Sequence, residues 1–311
     1  MVLPSRTVDL RSLLSNSAFM MTMAFIAALA VGGFPRNSLL TNSNIATLAL
    51  VVMMSLSLSN LKLRGLKVAD HSKAIARALF LSVGLSSGAT IALALLFQGD
   101  LRTGWFMVAA VPSAVSLVAF TFLMKGELEP TLVSTAALYI IALSLTPLLS
   151  LVLLGEAVDI TVLLTYVALM ILLPIIVSRP IRRLNVRPQY GTIVINLALF
   201  VLIVAVAGPN RNIFFHELDL LAAMLAVAVI RIFGIGILWD RYLRFRGVPR
   251  ERRVPEVMFS THKNNGMAAT LAIALVGPEA AVPATICVVV DIAWLIFLSH
   301  MVFRNDGPEA L

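Results

Sequence analysis

The sequence predicts an all-α membrane protein whose ten transmembrane helices form two inverted repeats of five. Three observations lead to this prediction. The 311 residues are 59% hydrophobic and only 13% charged, with a mean hydropathy of +0.96, which is more apolar surface than a soluble domain of this size can bury. The basic residues fall almost entirely into alternate loops. Two hydrophobic segments, about half the chain length apart, are interrupted by residues that break helices.

Segments of about 20 apolar residues match the roughly 30 Å hydrocarbon core of a bilayer. We count ten of them, at 13–34, 44–61, 77–97, 104–124, 131–153, 160–178, 191–208, 218–238, 257–276 and 280–303. The first follows Arg6 and Arg11 closely and has no small-residue cleavage site. We therefore expect it to be retained rather than removed as a signal peptide.

Positive charge predicts the orientation, because Lys and Arg in short loops favour the cytoplasmic side. With a cytoplasmic N-terminus, nineteen of the 24 Lys and Arg residues lie on that side and only Arg36, Arg102 and Arg211 on the other. The nineteen are Arg6, Arg11, Lys62, Arg64, Lys67, Lys73, Arg77, Lys125, Arg179, Arg182, Arg183, Arg187, Arg241, Arg244, Arg246, Arg250, Arg252, Arg253 and Arg304. We expect a cell inner (plasma) membrane protein with both termini in the cytoplasm. Topology and anionic lipid head groups account for the pI near 10.2, so we expect no nucleic-acid partner.

The ten spans divide into repeats at 1–155 and 156–311, joined near the short outward loop 154–157. An odd number of spans in each half means that the halves enter the membrane from opposite sides, so the repeat is inverted. In the third span, Gly84 to Gly88 forms a small-residue pattern that favours close contact between helices.

The fourth span of each half is interrupted. Pro112, followed by Ser113, lacks a backbone N–H and clashes with the preceding helical turn. Asn264, Asn265 and Gly266 are three poor helix formers in succession. Each could be an ordinary membrane-helix kink. Because lipid cannot satisfy the backbone groups that a break exposes but a solute can, two breaks at matching positions favour a transporter.

Two ionisable residues, Lys263 and Asp291, are predicted near the middle of the bilayer, where an unpaired charge is costly. We expect either an ion pair or a water-filled cavity lined by both, serving to lock two helices or to bind a solute or a proton. Arg231 either extends to the cytoplasmic head groups or faces inward to the solute. His262 is either a packing residue or a proton carrier.

Metal, haem and catalytic motifs are missing from this sequence. His71, His216 and His300 are scattered, there is no HExxH motif, and the single Cys287 excludes an intramolecular disulfide. We therefore predict no enzyme activity, no cofactor and no metal. An enzyme or a non-transporting receptor remains an alternative class.

The stretch from Thr261 to Ala272 (THKNNGMAATLA), followed by Gly277 to Val282 and Pro283, resembles the bile acid:sodium symporter superfamily, which includes the arsenite exporters. Val111-Pro112 and Lys125-Gly126 bracket a span similar to the family's first crossing helix. The resemblance implies a panel domain from spans 1, 2, 6 and 7 and a core domain from spans 3–5 and 8–10. It also implies that broken helices 4 and 9 cross beside the solute.

The sequence departs from the family where sodium binds. Leu117 and Val118 stand where sodium-dependent members have Ser-Asn, and Phe259, Lys263 and Asn264 stand in place of Glu-x-x-x-Gln-Asn. Oxygen ligands of a hard cation are thus replaced by apolar groups and an ammonium. We hypothesise that the Lys263 ammonium stands where sodium would, and that Lys263 or its partner Asp291 couples transport to protons; sodium is the other candidate coupling ion.

The sequence therefore predicts a secondary active transporter of a small organic anion, bile-acid-like or a simple carboxylate. The basic residues and the half-helix N-termini at the breaks favour an anion. A passive facilitator or channel is one alternative. An arsenite-type exporter is another, although the cysteine of those exporters corresponds to Val111 here. The binding residues we predict are Lys263, Asp291, Asn264, Asn265, Pro112, Ser113, Ser116, His262 and Arg231.

Overall fold

The computed structural model describes residues 10–35, 39–59, 68–155, 158–184 and 187–304, without the side chains of Ala18 and Pro188. The described part is all-helical and contains no strand. Its thirteen helices are α1 (Leu10–Ser15), α2 (Ser17–Val31), α3 (Asn42–Ser59), α4 (Val68–Ala94), α5 (Gly99–Ala110), α6 (Leu117–Leu123), α7 (Leu128–Leu154), α8 (Ile160–Arg183), α9 (Gln189–His216), α10 (Leu218–Phe245), α11 (Arg250–Thr261), α12 (Asn265–Leu275) and α13 (Glu279–Val302). The topology predictions at Arg6, Arg36, Lys62, Arg64, Lys67 and 156–157 lie outside the described residues.

Seven of the described helices are long and apolar enough to cross a membrane: α3, α4, α7, α8, α9, α10 and α13. Large apolar side chains such as Val152 and Leu238 are 73% and 68% exposed, as expected of surfaces that face lipid rather than water. The chain is therefore a membrane protein, as predicted. The spans predicted at 13–34, 104–124 and 257–276 coincide with shorter helices, so the count of ten spans stays a prediction.

Local sequence sets the helix ends. The Asn16 side chain caps α2 by accepting a hydrogen bond from the Phe19 N–H at 3.0 Å, and α2 ends at Gly32, whose φ of 82° suits glycine. Asp159 caps α8 in the same way, accepting from the N–H groups of Thr161 and Val162.

We distinguish two groups of helices, which also contact each other through α3 and α12 and through α7 and α8. In one, α9 packs against α2 and α3, and α8 packs against α3. In the other, α5 contacts α4, α7, α12 and α13, while α10 contacts α11 and α13. Close approach of α5 and α13 depends on Gly104, because a Cβ at this position would collide with the Ala280 carbonyl and approach Pro283.

The two glycines of the pattern at Gly84 to Gly88 do not make the close helix contact that the sequence suggested, although Ser87 between them bonds the Ala109 carbonyl of α5. The atoms nearest to a Cβ on Gly84 belong to Phe80 of the same helix, and nothing lies within 4 Å of a Cβ on Gly88. Instead, Phe80–Ser87 is a π-helical segment inside α4. Such segments leave carbonyl groups outside the regular helical ladder and available to other donors.

The N-terminal end of α11 is held by ion pairs to neighbouring helices. Glu256 lies 3.2 Å from the Arg77 Nε of α4 and 3.4 Å from the Arg252 Nε. Asp240 of α10 lies 2.7 Å from the Arg244 Nε and 3.6 Å from the Arg253 Nε. These contacts fix α11 as it approaches the second interruption.

Candidate functional site: a cavity at two helix interruptions

Both predicted interruptions are present. After α5 the backbone becomes extended at Val111, with φ −80° and ψ 154°, and helix resumes at Leu117. After α11 it becomes extended at His262, with φ −94° and ψ 100°, and helix resumes at Asn265. The second break therefore lies about two residues earlier than the sequence suggested, because Asn265 and Gly266 belong to the first turn of α12.

The two interruptions satisfy each other's backbone groups. Ser113 and Lys263 form an isolated antiparallel bridge. The Asn264 N–H donates to the Pro112 carbonyl at 2.8 Å, and the Ala114 N–H donates to the His262 carbonyl at 3.3 Å. Since lipid cannot supply these partners, the pairing stabilises non-helical backbone inside an apolar protein.

Asn264 connects the second interruption to α7. Its Oδ1 accepts from the Met267 N–H at 3.1 Å, which caps α12. Its Nδ2 donates to the Tyr139 hydroxyl at 2.8 Å, and that hydroxyl also bonds the backbone of Val115. One tyrosine thus joins both breaks.

The Lys263 ammonium is bound by oxygens of α4. It donates to the Ser87 hydroxyl at 2.9 Å and to the Ser82 carbonyl at 3.2 Å, and the residue is 1% exposed. Ser87 in turn donates to the Ala109 carbonyl at 2.5 Å, and Ser113 donates to the Ser82 hydroxyl at 2.8 Å. These contacts tie the second break to the π-helical segment and to the end of α5.

Arg231 does not extend to the membrane surface, since the residue is 0% exposed. Its Nη1 donates to the Thr261 carbonyl at 3.2 Å, where α11 ends and a cation is electrostatically favoured. Trp294 donates to the Thr261 hydroxyl at 3.0 Å. Arg231 faces inward, but it contacts the interruption rather than the cavity described below.

Asp291 contacts Asn265 and His262. Its Oδ2 accepts from the Asn265 Nδ2 at 2.7 Å, and its Oδ1 lies 3.6 Å from the His262 Nδ1. The predicted ion pair between Asp291 and Lys263 is therefore wrong, because the Lys263 ammonium donates its hydrogen bonds to Ser82 and Ser87 instead. The alternative expectation, a cavity lined by both residues, agrees with the structure.

That cavity has a volume of about 430 Å³ and lies between the two helix groups. One wall comes from α2, α3 and α9, and the other from α12, α13 and the two interruptions. Most lining side chains are apolar. We call the contacting residues His262, Asn265 and Asp291 the polar end of the cavity; the lining also includes other polar side chains, among them Ser17, Ser116 and Asn196. Such a cavity fits a mainly apolar solute with one polar group.

No protein-family model and no curated protein matches the sequence. The resemblance to the bile acid:sodium symporter superfamily thus rests on the residues quoted above and stays an expectation.

Of the nine predicted binding residues, the six that line the cavity are Ser116, His262, Lys263, Asn264, Asn265 and Asp291. Pro112, Ser113 and Arg231 lie behind its wall and hold the interruptions together. Among the described residues, no group of three or more His, Cys, Asp or Glu is placed to hold a metal.

Sequence reasoning missed Ser82, Ser87 and Tyr139, which position Lys263 and Asn264. Ser82 and Ser87 were visible only as small residues in an apolar span. A buried polar side chain in a membrane helix needs a hydrogen-bond partner. The two hydroxyls in an apolar span were therefore the one sequence signal that Ser82 and Ser87 bond to another helix.

Proposed function

We propose that the protein is a secondary transporter that moves a small organic anion, bile-acid-like or a simple carboxylate, by alternating access. The observation that carries this proposal is the cavity of about 430 Å³ between two helix groups, at the point where two interrupted helices meet. A binding cavity at paired helix breaks is the general arrangement of transporters whose two helix groups rock against each other.

The balance of buried charge supports an anion. Arg231, Lys263 and Asp291 are all at most 5% exposed, so two cations stand against one carboxylate near the cavity. In surroundings of low polarity, this excess positive charge acts on a solute even where the cations do not touch it. The solute's apolar body would contact Met21, Phe25 and the neighbouring apolar wall.

We also propose that transport does not need sodium. The oxygens of Ser82 and Ser87 that could bind a cation already accept hydrogen bonds from the Lys263 ammonium. The nearby Leu117, Val118 and Phe259 are apolar and buried, and so offer no alternative oxygen ligands. On this proposal, the Lys263 ammonium stands where a sodium ion would.

The proposed architecture has ten spans in two inverted repeats, with spans 4 and 9 crossing at their breaks and both termini in the cytoplasm of the cell inner (plasma) membrane. The two helix groups support the division into panel and core.

Single cysteines introduced at Arg179 and Asp159 in a Cys287→Ser background test the orientation. Impermeant thiol reagents added outside intact cells should label position 159 and spare position 179, and the reverse pattern would contradict it.

Solute movement is tested in proteoliposomes by counterflow of labelled cholate, benzoate and short-chain carboxylates, with sodium replaced by potassium. We expect at least one anion to exchange without sodium. Met53→Trp, which fills the cavity from α3, should abolish exchange. Val52→Trp is the matched control because Val52 is 44% exposed and lies outside the cavity lining.

Absence of counterflow for every anion would refute the proposed substrate class. Strict dependence on sodium would refute the role given to Lys263. Counterflow that no proton or sodium gradient converts into accumulation would identify a passive facilitator. The arsenite-type alternative finds no support in Cys287, which is buried and does not line the cavity.

A further inference from the structure

The polar end of the cavity contains three buried atoms that lack a hydrogen-bond partner in the described part of the chain. They are the Asp291 Oδ1, the His262 Nδ1 and the Asn265 Oδ1. The Asp291 and His262 atoms face each other at 3.6 Å, which is longer than a hydrogen bond. Both residues line the cavity, so a solute there meets them directly.

The other oxygen of Asp291 is already satisfied. Its Oδ2 accepts from the Asn265 Nδ2 at 2.7 Å, which fixes the carboxyl plane and leaves Oδ1 directed toward His262. The His262 ring is held on its other side by an edge-to-face contact with Phe120, with ring centres 5.6 Å apart.

The neighbouring charges do not neutralise this pair by direct contact. The Lys263 ammonium donates to Ser82 and Ser87, and the Arg231 guanidinium donates to the Thr261 carbonyl. Cys287 of α13 is a further titratable group nearby, and the charges of Arg231 and Asp291 both act on its thiol. The described cavity-lining residues of α2, α3, α6 and α9 include no titratable side chain.

We propose that His262 and Asp291 form the proton-binding site that couples proton movement to anion movement. This inference rests on the proposed function and names the coupling site within it. An ionised Asp291 places negative charge at the cavity surface, where it repels an anion. When the pair takes up one proton, which settles on the Asp291 Oδ1 or the His262 Nδ1, that repulsion is removed.

Proton binding and anion binding therefore favour each other, and by linkage the effect is equal in both directions. The loaded form carries one proton and one anion together. On the other side of the membrane, loss of the anion weakens proton binding and the pair releases its proton. This produces symport, with the proton gradient driving anion accumulation.

The test compares the parent protein with Asp291→Asn, His262→Gln and the exposed control Asp219→Asn in proteoliposomes. The amide oxygen that Asp291→Asn introduces can still accept from Asn265, which preserves local packing. We expect an inward proton gradient to drive anion accumulation in the parent and the control. Both cavity variants should lose this accumulation.

Anion affinity, measured by thermal shift, gives a second readout. In the parent, affinity should rise about tenfold per pH unit as pH falls through the range in which the pair is unprotonated. In Asp291→Asn the slope should be much smaller, because no ionised carboxylate repels the anion. An unchanged slope and unchanged accumulation in both variants would overturn the coupling role while leaving the transporter proposal intact.

Loss of anion binding at every pH in both folded variants would also overturn it, since the pair would then hold the solute rather than the proton. Tighter binding at higher pH would do the same. Infrared difference spectra after a pH jump test the site without a solute. The parent should show a protonation change that the double variant Asp291→Asn/His262→Gln removes, and its absence in the parent would contradict the inference even if no anion is transported.

Discussion

Replacing Ser87 by Ala tests the environment of Lys263 most directly. Ser87 is 1% exposed, accepts a hydrogen bond from the Lys263 ammonium at 2.9 Å and donates to the Ala109 carbonyl at 2.5 Å. Ser86 is a matched control in the same π-helical segment. It is 0% exposed, and its hydroxyl has no partner in the described structure.

The expected cost has two parts. A hydrogen bond to a charged group contributes about 1.5–3 kcal/mol net, and a buried carbonyl that loses its donor costs about 1–3 kcal/mol. Lys263 retains the Ser82 carbonyl in the variant and can shift toward it, so we expect the lower half of the combined range. Ser87→Ala should therefore lower the free energy of unfolding by about 2.5–4 kcal/mol. Ser86→Ala should leave it unchanged or raise it slightly, because it removes an unsatisfied hydroxyl.

The measurement is SDS-driven unfolding of the purified protein in mixed micelles, followed by the fluorescence of the buried Trp105 and Trp294. Ser87→Thr retains a hydroxyl and should recover part of the loss. Equal free energies for Ser86→Ala and Ser87→Ala would refute the reasoning, since the two substitutions share residue type, burial and helix propensity. The ammonium would then have other partners.

Two further predictions use the same unfolding measurement. Gly104→Ala should destabilise the protein by about 1–3 kcal/mol because the new Cβ collides with the Ala280 carbonyl; Gly88→Ala, which meets nothing within 4 Å, should be neutral or stabilising, and equal effects would contradict the packing. In a double-mutant cycle, Asn264→Ala and Tyr139→Phe should show a coupling free energy of about 1 kcal/mol for the hydrogen bond between these residues. Purely additive effects would mean that each residue stabilises the protein through other contacts.

Hydropathy was sufficient to predict the membrane class and the positions of most long helices, because a run of about 20 apolar residues has few other stable environments. The positions of the two breaks also followed from sequence, since Pro112 lacks an N–H and Asn264 competes for backbone partners. The exact start of the second break did not. The helix ends at Thr261, where Arg231 and Trp294 bind its carbonyl and hydroxyl, and both partners are distant in sequence.

The contact partners of the buried charged residues were harder to predict than their burial. Lys263 and Asp291 were recognised as membrane-buried, but the attraction between opposite charges suggested that they bind each other. The serines that bind Lys263 lie more than 170 positions earlier in the chain, and a π-helical segment is not visible as a change in hydrophobic pattern. Neither sequence spacing nor composition indicates which polar groups three-dimensional packing brings together.

The chemistry of broken helices explains why the cations and the acid separate. A helix that ends inside the protein exposes carbonyl oxygens, whose partial negative charge attracts cations and repels carboxylates. Arg231 accordingly binds the carbonyl at the end of α11, and Lys263 binds a carbonyl of the π-helical segment. Asp291 has no such partner and instead takes the Asn265 amide at the cavity surface. Carbonyl oxygens thus bind both cations, while the Asp291 carboxylate stays at the cavity surface. On the proposed function, an anion attracted by the cations would still meet this carboxyl group. A proton on that carboxyl group, or on the adjacent imidazole, resolves the conflict.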